Sequence, residues 1–216
     1  MAKVGILGGT GPAGRGVALR LASAGHDVTI GSRDADRAVA VAELITVRGT
    51  GTVIGASNDV AALSELIILA TPWDSTVATV VALREQLAQK IVVSMVNALV
   101  REGREMVALY PPRGSMAAQI AFALTESTIV GAFHHLPASL MEDLDSGLDA
   151  DVIIFSDSAD ARTQVAAMID EVDGLHPVVA GSMSLAGAVE AFTAVCISIN
   201  IRHKAHSYVK LAGLNK

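Results

Sequence analysis

A doubly wound α/β fold on a mainly parallel sheet, with a smaller C-terminal α/β part, is what this 216-residue sequence predicts. Three observations carry that expectation. Apolar runs of strand length alternate with helical stretches from the start of the chain to about residue 95. The runs at 66–70 (LIILA) and 90–95 (KIVVSM) are near-continuously apolar, as strands buried on both faces are. Finally, GILGGTGPAGRG at 5–16 packs six glycines into twelve positions directly after the first apolar run.

Residues 3–7 read as a buried strand and 14–24 as a helix, with Val17, Leu19 and Leu21 among small residues and Gly25-His26 ending it. Residues 27–30 form a second strand. Residues 34–47 carry helix-forming alanines and apolar spacing at Val39, Val41, Leu44 and Ile45. A third strand is expected near 52–55, a short helix around 58–63, the fourth strand at 66–70, a helix over 75–87 and the fifth strand at 90–95. Strands so joined by crossover helices lie parallel, with helices on both faces. Later strands near 129–133 and 152–155 are candidates to extend the same sheet.

Composition narrows the function classes. Half the residues are hydrophobic (51%), yet no uninterrupted apolar stretch reaches the roughly 18 residues of a membrane span. With a single lysine before the glycine-rich stretch, a secretory leader is not expected. The one cysteine, Cys196, has no partner for an internal disulfide or a metal cluster. The expectation is a cytoplasmic protein without membrane or metal. A net charge of −6 argues against general nucleic-acid binding. The charge is uneven: after Glu190 there is no acid, only Arg202, Lys204, Lys210 and Lys216.

Gly9, Gly11 and Gly14 form GxGxxG between a strand and a helix, with a second strand shortly after. The first glycine permits the tight turn, the second lets a pyrophosphate reach the backbone, and the third lets helix pack on strand. Uncapped amides at the helix start then face the anion, aided by the helix dipole. A glycine-rich turn without a ligand is the plainer alternative.

The second strand ends Ile30-Gly31-Ser32-Arg33, with Arg37 one helical turn on. A hydroxyl and two guanidiniums suit a 2′-phosphate and so NADP, whereas NAD sites present an acid to the ribose. Asp34 is the acid that would argue for NAD, but it falls where a helix N-cap is expected.

GGTGPAGRG, GSRDADRA, ATPWDS and GAFHHLPA, in this order and at these separations, resemble the F420-dependent NADP reductases, and DGLHPVVAG and the C-terminal helical region extend the resemblance over nearly the whole chain. The resemblance implies reversible hydride transfer between NADPH and the 5-deazaflavin coenzyme F420, in a homodimer. It places Thr10, Gly11, Pro12 and Ala13 at the pyrophosphate and Ser32, Arg33 and Arg37 at the 2′-phosphate. It puts Thr71, Pro72, Trp73 and Ser75 beside the cofactor, Asn97 near the nicotinamide, and His134, Leu136, Pro137 and Ala138 where the two rings meet. The chain departs from the family pattern at Asn97-Ala98, where a proline is common, and at Gln119, where a glutamate is. The division that follows is an NADP-binding Rossmann-type domain over 1–128 and a smaller domain over 129–216 completing the F420 pocket and the dimer contacts.

Both partners carry hydride, so the protein must stack two rings with the reacting carbons roughly 3–3.5 Å apart and exclude water; no catalytic triad is needed. Trp73 either lines the site or caps the sheet edge. His134 is either structural or in contact with the deazaflavin. Adjacent residues on a strand face opposite sides, so His134 and His135 cannot both serve one site through their side chains, leaving His135 a packed or surface imidazole. Residues 184–206 read as a long helix with Leu185, Val189, Phe192, Cys196 and Ile199 on one stripe, widened by Ala188, Val195 and Ile201, to be buried in its own domain or against a second subunit. Its basic end either attracts the phosphate and glutamate tail of F420 or is a solvated face. Two other functions stay open: an NADPH-dependent reductase of a small imine or carbonyl, for which His134 is the one nearby proton donor, and a non-catalytic NADP sensor without a second pocket.

Overall fold

A computed structural model describes residues 1–214; Lys216, one of the four C-terminal cations, lies outside them. The chain runs β1 (Lys3–Leu7), α1 (Pro12–Ser23), β2 (Asp27–Ser32), α2 (Ala35–Glu43), β3 (Thr52–Ser57), α3 (Asn58–Ala61), β4 (Leu66–Leu69), α4 (Trp73–Ala82), α5 (Arg84–Leu87) and β5 (Ile91–Ser94). It continues through a hairpin, β6 (Leu99–Glu102) and β7 (Glu105–Ala108), then α6 (Met116–Ala123), β8 (Thr128–Gly131), α7 (Ala138–Met141), β9 (Ala150–Phe155), α8 (Ala159–Asp170), β10 (Leu175–Gly181) and α9 (Ala186–His203).

One eight-stranded sheet in the order β10-β9-β8-β5-β4-β1-β2-β3 spans both parts of the chain. Its pairings are parallel except for the single antiparallel pair Gly131↔Phe155 between β8 and β9. The order reverses beside β1, so the crevice past the ends of β1 and β4 is where a ligand is expected in such sheets.

Alternate strand residues feed two cores. Val4, Ile6, Ile68, Val93 and Val130 pack with Val17 and Leu21 of α1 and Val165 and Ile169 of α8. Leu7, Ile67, Leu69, Val92 and Phe155 pack on the other face with Val80, Leu87, Met116 and Ile120. Each such side chain contributes roughly 1.5–3 kcal/mol when fully buried.

Several boundaries differ from expectation. The second helix ends at Glu43 rather than 47, because Ile45, Thr46 and Val47 are β-branched and Leu44 is left exposed. The helix expected over 75–87 begins at Trp73 and breaks at Leu83, whose φ of −108° is not helical. Met183–His203 is long and apolar enough, by length and composition, to cross a membrane.

The larger correction concerns α9. Of the expected stripe, Leu185, Phe192 and Ile199 are 38–44% exposed, whereas Cys196 is buried and Val189 packs on the second core; the buried side chains are Ala186, Glu190, Thr193, Ala194 and Cys196. Part of what faces this helix inside is polar. The Glu190 carboxylate accepts from the amides of Met116 and Ala117 at the start of α6 (2.7 and 2.8 Å), and Thr193 Oγ1 donates toward the carbonyl of His134 (3.3 Å). Buried donors and acceptors demand partners, so the polar side turns in.

Arg20 of α1 is almost fully buried and ties the segment after β8 to the N-terminal half. It donates to the carbonyls of Met141, Leu140, Asp143 and Asp173 and to Ser146 Oγ. Beside it, a Cβ at Gly16 would lie 2.5 Å from Met141 Cβ, so only glycine lets α7 sit this close to α1. That contact holds residues 134–138 beside the glycine-rich turn.

Candidate functional site

The glycine-rich turn is fixed from below. Gly9 N–H reaches the carbonyls of Ile6 and Gly31 (3.2 and 3.0 Å), and Gly8, at φ +70°, donates to Asn58 Oδ1 (3.1 Å). Asn58 is buried and went unrecognised in the sequence, where nothing separates it from an ordinary helix-start residue. A Cβ on Gly14 would meet Gly9 Cα at 2.6 Å, whereas one on Gly11 would meet nothing within 4 Å. The helix start is otherwise bare: Gly11 offers no side-chain cap, Pro12 has no N–H, and the first turn holds no acid. By contrast α2, α6 and α8 are capped by Asp34, Ser115 and Ser158.

A cleft of about 430 Å³ opens over this turn, bordered by Thr10, Gly11, Pro12, Ala13 and Gly14, by Ser32, Arg33 and Arg37, and by Thr71, Pro72 and Ser75. Ser32 Oγ accepts from Asp34 N (3.1 Å), leaving its own proton free. Asp34 caps α2 by accepting from Arg37 N (3.1 Å), as its position suggested, and so is engaged. Arg33 and Arg37 are exposed and in no ion pair among the described residues. Thr71 and Thr76 share a 2.7 Å hydroxyl contact that shapes the mouth of β4. Trp73 opens α4, is 38% exposed, and does not line the cleft.

A second cavity, about 280 Å³, shares Ala13 with the first and gathers Asn97, His134, Leu136, Pro137 and Ala138. Its far wall is α9 and the segment after it, through Thr193, Cys196, Asn200 and Ser207, none of which the sequence singled out as cavity residues. Asn97 is held in orientation: its Nδ2 reaches the carbonyls of Met95 and His134 (both 3.4 Å) and its Oδ1 accepts from Thr193 (3.1 Å).

His134 and His135 do not lie on a strand. β8 ends at Gly131, and Phe133 at φ +65° turns the chain, so period-two alternation does not apply and both imidazoles border this cavity. His135 Nε2 contacts the Val189 carbonyl at 2.8 Å. His134 stacks on Phe155 with centroids 5.4 Å apart, yet neither of its ring nitrogens has a partner among the described residues. Burial, reinforced by His135, pushes its pKa down to about 3, so the ring is neutral near pH 7. Both nitrogens are shut away from solvent, so the donor and the acceptor of this neutral ring reach a ligand only if the ring turns off Phe155.

A larger cavity, about 660 Å³, lies apart between α1, the end of α2 and residues 142–144, where the charges are spent: Arg15 on Glu142 and Arg48 on Asp145 (both 2.5 Å). It contains none of the motif residues except Arg15, which sits inside GGTGPAGRG. At the basic end of the chain, Arg202 reaches Glu105 at 3.4 Å and Lys210 pairs with Asp149 at 2.5 Å.

A family model described as NADP oxidoreductase coenzyme F420-dependent matches residues 3–98. The F420-dependent NADP reductase of Methanocaldococcus jannaschii is 34% identical over 211 residues, 94% of each chain, and that of Methanothermobacter marburgensis is 32% identical over 212 residues, again 94% of each. Among solved structures, a candidate F420-dependent NADP reductase from Arthrobacter sp. FB24 superposes with a TM-score of 0.81 at 27% identity, over 96% of this chain and 97% of that one. An imine reductase from Streptomyces aurantiacus, 19% identical with a TM-score of 0.59 over 91% of this chain and 61% of its own, shares the fold alone. Motifs, sheet order and full-length similarity agree, and the chain belongs to the F420-dependent NADP reductase family.

Proposed function

We infer that this protein is an oxidoreductase that moves a hydride reversibly between NADPH and coenzyme F420. The observation that carries the reading is the second cavity, which adjoins the nucleotide cleft across Ala13 and is lined by Asn97, His134, Leu136, Pro137 and Ala138. A nucleotide sensor has no use for it.

The residues present fit both groups. The bare turn at Gly9–Gly14 leaves room where a Cβ on Gly11 would project, and the uncapped start of α1 offers amides to a diphosphate. Ser32, Arg33 and Arg37 supply a hydroxyl proton and two unpaired cations to a 2′-phosphate. Thr71, Pro72 and Ser75 wall the cleft. Asn97, His134, Leu136, Pro137 and Ala138 meet the ring end, while Trp73 opens α4 outside the cleft.

When bound, NADPH supplies the hydride and F420 accepts it. The chain itself holds the two rings against each other and keeps water away, with apolar walls and few fixed polar groups. It moves no proton at His134. That neutrality also weighs against an imine or carbonyl reductase, which needs an acid in the pocket.

The functional division falls near residue 128, with the NADP cleft built from 1–128 and most of the second cavity from 129–216. We also place the protein in the cytoplasm, where an undisulfided Cys196 is at home, and in a homodimer that covers Phe192, Val195 and Ile199 of α9. The function is tested by mixing the protein with NADPH and F420 and following the deazaflavin's visible absorbance, with simple imines and ketones in parallel. F420 turnover far above carbonyl turnover is expected; carbonyl turnover without F420 turnover overturns the reading.

A further inference from the structure

After α9 the chain does not trail away. Lys204 adopts the left-handed conformation at φ 51°, and residues 205–211, neither helix nor strand, form a strap that borders the second cavity at Ser207. Near its start Asn200 grips it: Oδ1 accepts from both the amide and the hydroxyl of Ser207 (2.8 and 2.7 Å). His206 Nδ1 meets Ser139 Oγ at 2.9 Å.

The far end is anchored in the sheet. Because β8 and β9 pair only at Gly131↔Phe155, the start of β9 is open on that side, and the strap fills the gap: Asp151 N–H donates to the Val209 carbonyl (2.9 Å) and Leu211 N–H to Asp151 Oδ2 (2.6 Å). The Asp151 side chain is fully buried, and Lys210 stands 3.7 Å from its other oxygen. A buried carboxylate that takes a loop amide fixes that loop firmly.

The chemistry at the cavity follows from Ser207. Its one hydroxyl proton is given to Asn200, so toward the cavity it borders the oxygen can only accept. We propose that the strap is the specificity wall for the second substrate, with Ser207 accepting from a ring N–H such as the imide of a deazaflavin, and with Asp151 the positioning residue that holds the strap in place. The proposal rests on the hydride-transfer reading above and names what selects the ring.

The test compares wild type with Ser207→Ala, Ser207→Thr and Asp151→Ala, measuring KM and kcat for F420, the NADPH Kd, and amide exchange over 205–211. Ser207→Ala should raise the F420 KM about 5- to 20-fold with the NADPH Kd unchanged, and Ser207→Thr, which keeps the acceptor, should stay near wild type. Asp151→Ala should raise the F420 KM with little loss of kcat and speed exchange in the strap. An F420 KM in Ser207→Ala equal to wild type, or an NADPH Kd raised as much as the F420 KM, overturns the proposal while leaving the hydride-transfer reading standing. A wild-type protein that neither binds nor turns over F420 removes both.

Discussion

Gly14 lies against Gly9 so closely that a methyl on it would stand 2.6 Å from the Gly9 Cα, while the same methyl on Gly11, two residues beyond Gly9, would touch nothing. Two glycines of one motif therefore serve different ends. Gly14→Ala should destabilise the fold by about 1–3 kcal/mol through overpacking against backbone. Gly11, with an extended backbone at φ −77° and ψ 162°, tolerates alanine, so Gly11→Ala should leave the melting temperature almost unchanged yet weaken NADPH markedly. Thermal unfolding and NADPH titration of both variants check this; unchanged NADPH affinity in Gly11→Ala would remove the diphosphate from this turn.

Asp34 being engaged as a cap leaves Arg33 free to act on a ligand. Arg33→Ala should weaken NADPH roughly 10- to 100-fold by removing a charge-assisted contact, and NADH by less than about twofold. Equal losses for both nucleotides would contradict the 2′-phosphate assignment.

Glu190 gives the fold a pH signature. Burial raises its pKa from 4.5 to about 7, against the opposing pull of the Ala117 and Met116 amides. Between those values the folded state holds the proton more tightly than the unfolded one, so the contribution is fully present below about pH 4.5 and lost as pH rises through 7. Relative to Glu190→Gln, wild type should lose on the order of 3 kcal/mol between pH 4.5 and 8. The buried histidines, whose lowered pKa values act in the opposite sense, are common to both proteins and drop out of the difference. Denaturant unfolding at the two pH values decides it, and parallel curves for the two proteins would refute it.

Much of this was legible in the sequence because local chemistry determined it. The strands 3–7 and 66–70, the GxGxxG turn, the Asp34 cap and the Ser32-Arg33-Arg37 group each depend on neighbours within a few residues. What was hidden depends on partners far along the chain. The inward placing of Glu190 and Thr193 on α9 follows from the amides of Met116 and Ala117 and the His134 carbonyl, 59 or more residues away, so the apolar stripe held at Val189 and Cys196 and failed at Leu185, Phe192 and Ile199. Asn58 and Arg20 matter through contacts that no spacing announces, and the Asn200–Ser207 pair, though only 7 residues apart, depends on the left-handed turn at Lys204. The turn at Phe133 broke the strand alternation on which the separation of the two histidines rested.

Phe192, Val195 and Ile199 leave large apolar area at 44–48% exposure along one helix. Phe192→Glu should convert a dimer to a monomer in light scattering at micromolar concentration without lowering NADPH affinity. A wild-type protein that is already monomeric there would contradict the homodimer.

Two rings held face to face across Ala13 with water shut out pass hydride directly from one to the other. The sharpest test of this transfer is a single turnover with NADPH deuterated at the transferring C4 position, followed by mass analysis of the reduced F420. Full retention of the label on the deazaflavin carbon is expected; label lost to solvent, or none transferred, would rule out direct transfer between the rings.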